Sequence, residues 1–274
     1  MPPRPDTILD IPAAVMNDSA IMLFVIDAGN TNIVGGVYDA GRLVDTLRIR
    51  TVQGKTEDEY GVVVRSILQD RGIDLSAINR VIVSSVVPQL TAAMTKMSRH
   101  LFGVEPVLVG PAVYDRLPVN VVAANEIGSD LVADAVAAWS RFGGACLVVD
   151  FGTALTFTAI DANGSIIGVS IAPGLGTAAG SLSSATAQLP VVPLEAPASA
   201  MGRNTVEAIQ AGVVLGYTGL VEYLVGRIRG ELGGAKVVAT GGLCRVVSEL
   251  TDVFDAIDPE LTLNGLAEME RYLF

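Results

Sequence analysis

The sequence predicts an α/β protein made of two related halves. Three observations carry that expectation. First, one segment occurs twice in altered form: Leu23-Phe24-Val25-Ile26-Asp27-Ala28-Gly29-Asn30-Thr31 returns as Leu147-Val148-Val149-Asp150-Phe151-Gly152-Thr153-Ala154. A shift of 123 positions lays Asp27 on Asp150, Gly29 on Gly152 and Gly41 on Gly164. Second, short β-branched runs alternate with longer stretches of helical periodicity, the pattern of a layered α/β arrangement. Third, half of the 274 residues are hydrophobic and only 17% are charged, so the chain has material for more than one core.

Each copy reads as a buried strand, a turn rich in Gly and Thr, a second strand and a Gly-containing turn. In the first, Leu23–Asp27 and Ile33–Tyr38 are strands, and Asp39-Ala40-Gly41 turns into a third, Arg42–Arg50. Thr56–Asp70 reads as a helix because Thr56 and Glu59 form a capping box, with Val62, Val63, Ile67 and Leu68 as its apolar face. Val81–Val86, closed by Pro88, reads as a buried parallel strand, Leu90–Leu101 as a helix and Pro106–Val109 as a strand. Ser129–Phe142 is an Ala-rich helix with Ser129 or Asp130 near its cap.

The second copy opens with the hairpin Cys146–Ile160, and Ser165–Ile171 extends its sheet until Pro173-Gly174 breaks it. Thr177–Gln188 reads as a helix, followed by a Pro-rich connection. Asn204 or Thr205 caps a long helix, Val206–Leu232, whose Gly212, Gly216 and Gly219 suggest close helix packing, since each costs about 1 kcal/mol relative to Ala. Lys236–Ala239 is a strand entering Thr240-Gly241-Gly242, and Pro259–Leu273 is a final helix. The expected organisation is a mobile extension over 1–21, one half over 22–143 and the other over 144–274.

Composition excludes several functions. A net charge of −11 gives no basic footprint for a nucleic acid, and an anionic ligand must be held by local backbone N–H groups and a metal. Mean hydropathy is +0.51, yet no run of 18 or more apolar residues is free of charge; Asp150 and Asp161 interrupt the most apolar region, so no membrane span is expected. The first 20 residues hold Asp6, Asp10 and Asp18 and lack a secretory pattern, which points to the cytoplasm. Cys146 and Cys244 read as buried reduced thiols, and His100, the single histidine, as a helix-end residue that can build no His-rich metal site.

The two turns are the candidate chemistry. Gly and Thr in a tight turn present several N–H groups and hydroxyls to one point, which suits phosphate oxygens. Asp27 at the end of the first strand can hold hydrated Mg²⁺, a hard cation that prefers carboxylate and phosphate oxygens. A Gly-Gly pair after a strand, Gly241-Gly242, lets backbone approach a ligand closely. No Walker A loop and no dinucleotide fingerprint occurs.

These elements resemble the phosphate 1, phosphate 2 and adenosine motifs of the acetate/sugar kinase, Hsp70 and actin superfamily. Within it the chain resembles the type III pantothenate kinases and the related Bvg accessory factor proteins. The resemblance rests on Asp27 to Asn32, Ser84 to Pro88, Gly128-Ser129-Asp130, Val149 to Ala154, Ala172 to Leu175, Gly202 to Thr205 and Ala239 to Leu243, in that order. It implies a duplicated ribonuclease-H-like (actin-like ATPase) fold with ATP in a cleft between the halves, a homodimer, and transfer of the γ-phosphoryl group to the hydroxyl of pantothenate in coenzyme A biosynthesis. It implies ATP contacts from Asp27, Gly29, Asn30, Thr31, Asn32, Gly152, Thr153, Gly241 and Gly242, and a catalytic carboxylate at Asp130. Gly128, Ser129, Leu131 and Thr205 fall at the pantothenate site, and Asp150 at the site of a monovalent cation, K⁺ or NH₄⁺, beside Mg²⁺ on Asp27.

The acceptor side departs from the family pattern. Leu131 stands where the family carries Arg, Asp134 where it carries Asn, and Val121 and Ala124 replace a Tyr and a Pro. Leu cannot pair with a carboxylate as a guanidinium does. Beside the kinase reading this leaves two alternatives: a paralogue with a nucleotide-binding or regulatory role, and a kinase for a different hydroxyl substrate.

Overall fold

A computed structural model describes residues 21–274; the extension expected at the N-terminus lies, but for Ile21, outside the described residues. The first half begins with β1 (Met22–Ala28), β2 (Asn32–Asp39), β3 (Arg42–Arg50), α1 (Glu57–Asp70), β4 (Ile78–Ser85), α2 (Pro88–Phe102) and β5 (Val107–Leu108). Short α3 (Pro111–Tyr114) and β6 (Asn120–Val121) lead to α4 (Ser129–Phe142). The second half holds β7 (Cys146–Phe151), β8 (Ala154–Ile160), β9 (Ser165–Pro173), α5 (Leu175–Ala185), α6 (Thr205–Gln210), α7 (Gly216–Glu231), β10 (Lys236–Thr240), α8 (Cys244–Ser248), β11 (Ala256–Ile257) and α9 (Leu261–Leu273).

The strand orders explain the sequence repeat. One sheet runs β3-β2-β1-β4-β5 and the other β11-β10-β7-β8-β9-β6. Read from β9 to β11, the second repeats the first: a central strand, β1 or β7, pairs antiparallel with the strand after it and parallel with β4 or β10. Gly41 and Gly164 close equivalent hairpins at φ 77° and 82°. Glycine enters this left-handed region without the Cβ penalty, a physical reason for a turn glycine to recur at the same place.

The core is layered. Alternate residues of each central strand point to opposite faces, so every strand feeds two packing layers. Phe24, Ile26 and Val83 pack outward under α1 and α2 with Tyr60, Val64 and Met94, while Leu147, Val149 and Phe157 pack outward with Val221 and Val225 of α7. Between the sheets lie α4 and α9. Val132, Val136, Leu266 and Met269 share one core with Leu23, Val25 and Ile82 of the first sheet and Val148 and Val238 of the second. α9 thus lies in the second half by chain order yet packs against α4 and against β1, β2 and β4 of the first.

Local expectations were met with some shifts. The Thr56–Glu59 capping box is formed, and α2 starts at Pro88 in its first turn, where the missing N–H has no helical partner to lose. The buried stripe of α1 is Tyr60, Val64 and Leu68, while Val62 is exposed; the Tyr60 hydroxyl is satisfied there by Val52. Helix α5 begins at Leu175, two residues before the expected start. Asn204, not Thr205, caps the long helix by accepting from the Glu207 N–H. That helix runs from Thr205 to Glu231 through one π-helical turn, Ala211–Leu215. Among the described residues, no heavy atom outside the helix's own backbone lies within 4 Å of where a Cβ on Gly212, Gly216 or Gly219 would stand, so packing among those residues does not explain them. By length and composition alone this helix could cross a membrane, but it packs inside the protein on one side, with Val213, Val214, Val221 and Val225 buried, as a core helix of the same composition does. Both cysteines are free and buried, and His100 is exposed in the last turn of α2.

Candidate active site

The ends of β1 and β7 bring the two repeated turns together. Thr31 Oγ1 and Thr153 Oγ1 lie 2.8 Å apart in a hydrogen bond, a direct link between the halves. Each turn is braced from behind. The Gly29 N–H donates to the Asn32 carbonyl at 3.0 Å, and the Thr51 hydroxyl donates to the Gly29 carbonyl at 2.7 Å. On the other side the Gly174 N–H and the Thr177 hydroxyl both donate to the Thr153 carbonyl, at 3.0 and 2.7 Å. A Cβ on Gly174 would stand 2.7 Å from the Thr153 oxygen, so only glycine allows this approach.

The third element joins them. Gly241 follows β10 at φ +88°; a Cβ there would overlap the Asp150 carboxylate and stand 2.7 Å from the Phe151 N and C atoms. The Gly241 turn therefore lies against the turn that carries Asp150. Gly242 has no atom within 4 Å of a Cβ position.

Asp130 enters from the first turn of α4. The cap residue is Gly128, whose Cβ would overlap Asp130 Oδ1, and that oxygen accepts from the Leu131 N–H at 2.8 Å. Ser129 does not cap the helix as expected. Its hydroxyl lies 2.9 Å from the buried Ser84 hydroxyl, which donates to Asp27 Oδ1 at 3.2 Å. Ser84 is placed by register, since it sits opposite Asp27 on the neighbouring parallel strand β4. Thr240 of β10 holds the same relation to Asp150, and Thr156 of β8 flanks it on the other side.

The carboxylates disturb one another. Burial, and then the charge of Asp130, pushes both Asp27 and Asp150 up to about 7; Ser84 opposes the rise at Asp27. Asp130 is raised by burial and held back by the backbone N–H of Leu131. Asp134, one helical turn further, is buried and raised by desolvation and by Asp150, while its Oδ1 accepts from Thr262 at 2.8 Å. Desolvation and like charge both disfavour ionisation, so the group is short of positive charge. The hydroxyls of Thr156, Thr158 and Thr240 are buried and unpartnered, two of them beside Asp150. Carboxylates and neutral oxygens of this kind suit hard cations. Among the described residues no three acidic, His or Cys side chains converge on one metal position.

Other expected residues are more dispersed. Asn30 is exposed and Asn32 begins β2. Leu131 is buried at 8% exposure. Thr205 is exposed and lines a groove with Gly202, Arg203 and Ile209 between α5 and α6. Val121 and Ala124 pack on the central core. Ser84 and Thr240 entered the sequence reading only as parts of motifs, and Thr156 not at all; strand register is what sets them beside Asp27 and Asp150.

Comparison with known proteins shows the family and the fold. The family model for type III pantothenate kinase matches residues 23–227. A type III pantothenate kinase of Moorella thermoacetica is 42% identical over 246 residues, 89% of this chain and 97% of its own. One from Myxococcus xanthus is 43% identical over 89% of this chain and 96% of its own. Among solved structures, MreB 5 of Spiroplasma citri bound to AMPPNP superposes with a TM-score of 0.54 at 10% identity, covering 93% of this chain and 97% of that one. The ethanolamine utilization protein EutJ from Carboxydothermus hydrogenoformans gives 0.56 at 14% identity, covering 92% and 90%. These structures share the actin-like ATPase fold, the α/β class expected from the sequence.

Proposed function

The chain belongs to the type III pantothenate kinase family, and from that premise we propose that it transfers the γ-phosphoryl group of ATP to the primary hydroxyl of pantothenate. The observation that carries the reading is the Thr31–Thr153 hydrogen bond, which joins the two phosphate-type turns that follow Asp27 and Asp150, carboxylates that both feel the charge of Asp130. The Gly29 to Asn32 and Gly152-Thr153 turns hold the phosphates through backbone N–H groups other than that of Gly29, which braces its own turn, and Gly241-Gly242 leaves backbone room for the nucleoside.

Phosphoryl transfer needs positioning and charge neutralisation more than covalent chemistry. Asp130 accepts the proton of the attacking hydroxyl, a task helped by burial, which makes the carboxylate more basic than a free one. The Ser129–Ser84–Asp27 chain fixes the catalytic helix against the first turn. Mg²⁺ on Asp27 and a monovalent cation at Asp150, with Thr156 and Thr240 as neighbours, would supply the positive charge that the carboxylates lack.

We infer a cytoplasmic homodimer. Ile167, Val169 and Ile171 expose one apolar face of β9, Ile171 at 70%, and the open glycine stripe of the long helix offers a second surface a partner copy can approach. Light scattering that gives the monomer mass at micromolar concentration would refute this.

The function is tested by mass spectrometry of products formed from ATP with pantothenate and, separately, with its neutral alcohol analogue. Phosphorylated pantothenate is the expected product. Leu131 supports one second reading, a less acidic acceptor, and phosphorylation of the alcohol alone would favour it. No phosphorylated product from either would sink the kinase assignment.

A further inference from the structure

The catalytic helix α4 is attached to α9 at two points. Thr262 Oγ1 donates to Asp134 Oδ1 at 2.8 Å. One turn along α9, a Cβ on Gly265 would overlap the Ala133 carbonyl oxygen and stand 2.6 Å from its carbon, so the two backbones touch there. Thr262 and Gly265 are three residues apart and share a face of α9; Asp130 and Asp134 are four apart and share a face of α4. Rotating or sliding α4 would therefore move Asp130 together with Asp134.

We propose that Thr262 is a positioning residue for phosphoryl transfer, holding α4 through Asp134 so that the Asp130 carboxylate is fixed beside the two phosphate turns. The proposal rests on the kinase reading above. Asp134 is 1% exposed and lies in the central layer between the sheets, where an acceptor without a donor is expensive. The Gly265 contact sets the spacing of the helices, and the Ser129–Ser84 hydrogen bond holds only the first turn of α4, which leaves the turn carrying Asp134 to be fixed. The Thr262 hydroxyl supplies the directional restraint, because a hydrogen bond weakens steeply away from linearity. A misplacement of about 1 Å can lower turnover by roughly a hundredfold. Thr262 touches neither turn, so nucleotide binding is left to Thr31, Thr153 and Gly241.

The test is Thr262→Val, which keeps the side-chain shape and deletes the donor, with Thr262→Ser as the conservative rescue. The valine variant is expected to lose roughly tenfold or more in kcat with KM for ATP within about twofold, and the serine variant to recover most of the loss. In an Asp134→Leu background, Thr262→Val is expected to add no further loss, since the partner is already gone. A second readout needs no turnover: amide hydrogen exchange over 129–134 should rise in Thr262→Val and return in Thr262→Ser. Faster exchange with an inactive wild type would fault the kinase reading and leave the positioning role standing. Unchanged exchange, unchanged kcat in an active enzyme, or additive losses in the double variant would each overturn the proposal.

Discussion

Replacing Asp27 by Asn should stabilise the ligand-free protein at neutral pH while disabling it. Asp27 is raised from its ordinary value of 3.8 to about 7, chiefly by burial and next by Asp130. Between those values the folded protein binds a proton that the unfolded chain has released. Stability therefore falls as pH rises through this window and levels off above about 7. The full span corresponds to about 4 kcal/mol at most. Asp27 keeps a small exposure at the end of β1, so solvent relaxation reduces the expected gain to roughly 2 kcal/mol. Asn keeps the size and an oxygen for the Ser84 hydroxyl, which removes the charge penalty without a new unpaired group. For a chain of this length that is about 4–8 °C in Tm. Calorimetry of metal-free, nucleotide-free protein at pH 8 and pH 5 measures it. The variant should melt higher at pH 8, with the advantage shrinking by more than half at pH 5. Mg²⁺ with ATP should then raise the wild type more than the variant. An Asn variant that melts lower than wild type at pH 8, or one whose advantage does not depend on pH, would refute the reasoning.

Three further outcomes follow from the same geometry. Gly241→Ala combines a left-handed φ with overlap of Asp150 and Phe151, and should cost about 2–4 kcal/mol in chemical denaturation, whereas Gly242→Ala should cost under about 1 kcal/mol. Thr31→Val removes the bond between the two turns and should raise the calorimetric Kd for ATP by roughly 2- to 10-fold, the worth of one net hydrogen bond. Ser84→Ala deletes a donor that favours ionised Asp27, so the acid limb of the kcat/KM profile should move to higher pH; a limb that stays in place would disconnect Ser84 from the site.

The duplication was legible because it is written locally. Asp27 and Asp150 close buried strands, and Gly41 and Gly164 sit at hairpins that need positive φ. What sequence could not supply is the pairing of distant strands. Ser84 and Thr240 become neighbours of the two aspartates only through parallel register, and neither lies within fifty residues of its partner in the chain. Local rules also lose to tertiary contacts in places. Ser129 has the chemistry of a cap, but its hydroxyl is drawn to Ser84, leaving Gly128 in the cap position. Tyr60, Val64 and Leu68, spaced four apart, form the buried stripe of α1, two bonds to Val52 satisfy the Tyr60 hydroxyl there, and Val62 turns to the opposite side. The helical glycines invited a packing explanation, yet Gly212, Gly216 and Gly219 face open space. Asp134 read only as a departure from the family pattern until Thr262, far along the chain, gave it a partner.

The most direct measurement is the rate at which labelled phosphate passes from γ-labelled ATP to pantothenate in the presence of Mg²⁺ and K⁺, for the wild type and Asp130→Asn. The expected result is phosphopantothenate from the wild type and a rate roughly 100- to 10,000-fold lower from the variant, which keeps the side-chain shape but cannot accept the proton. Equal rates from the two proteins would contradict the role of Asp130, and no labelled product from the wild type would contradict the function itself.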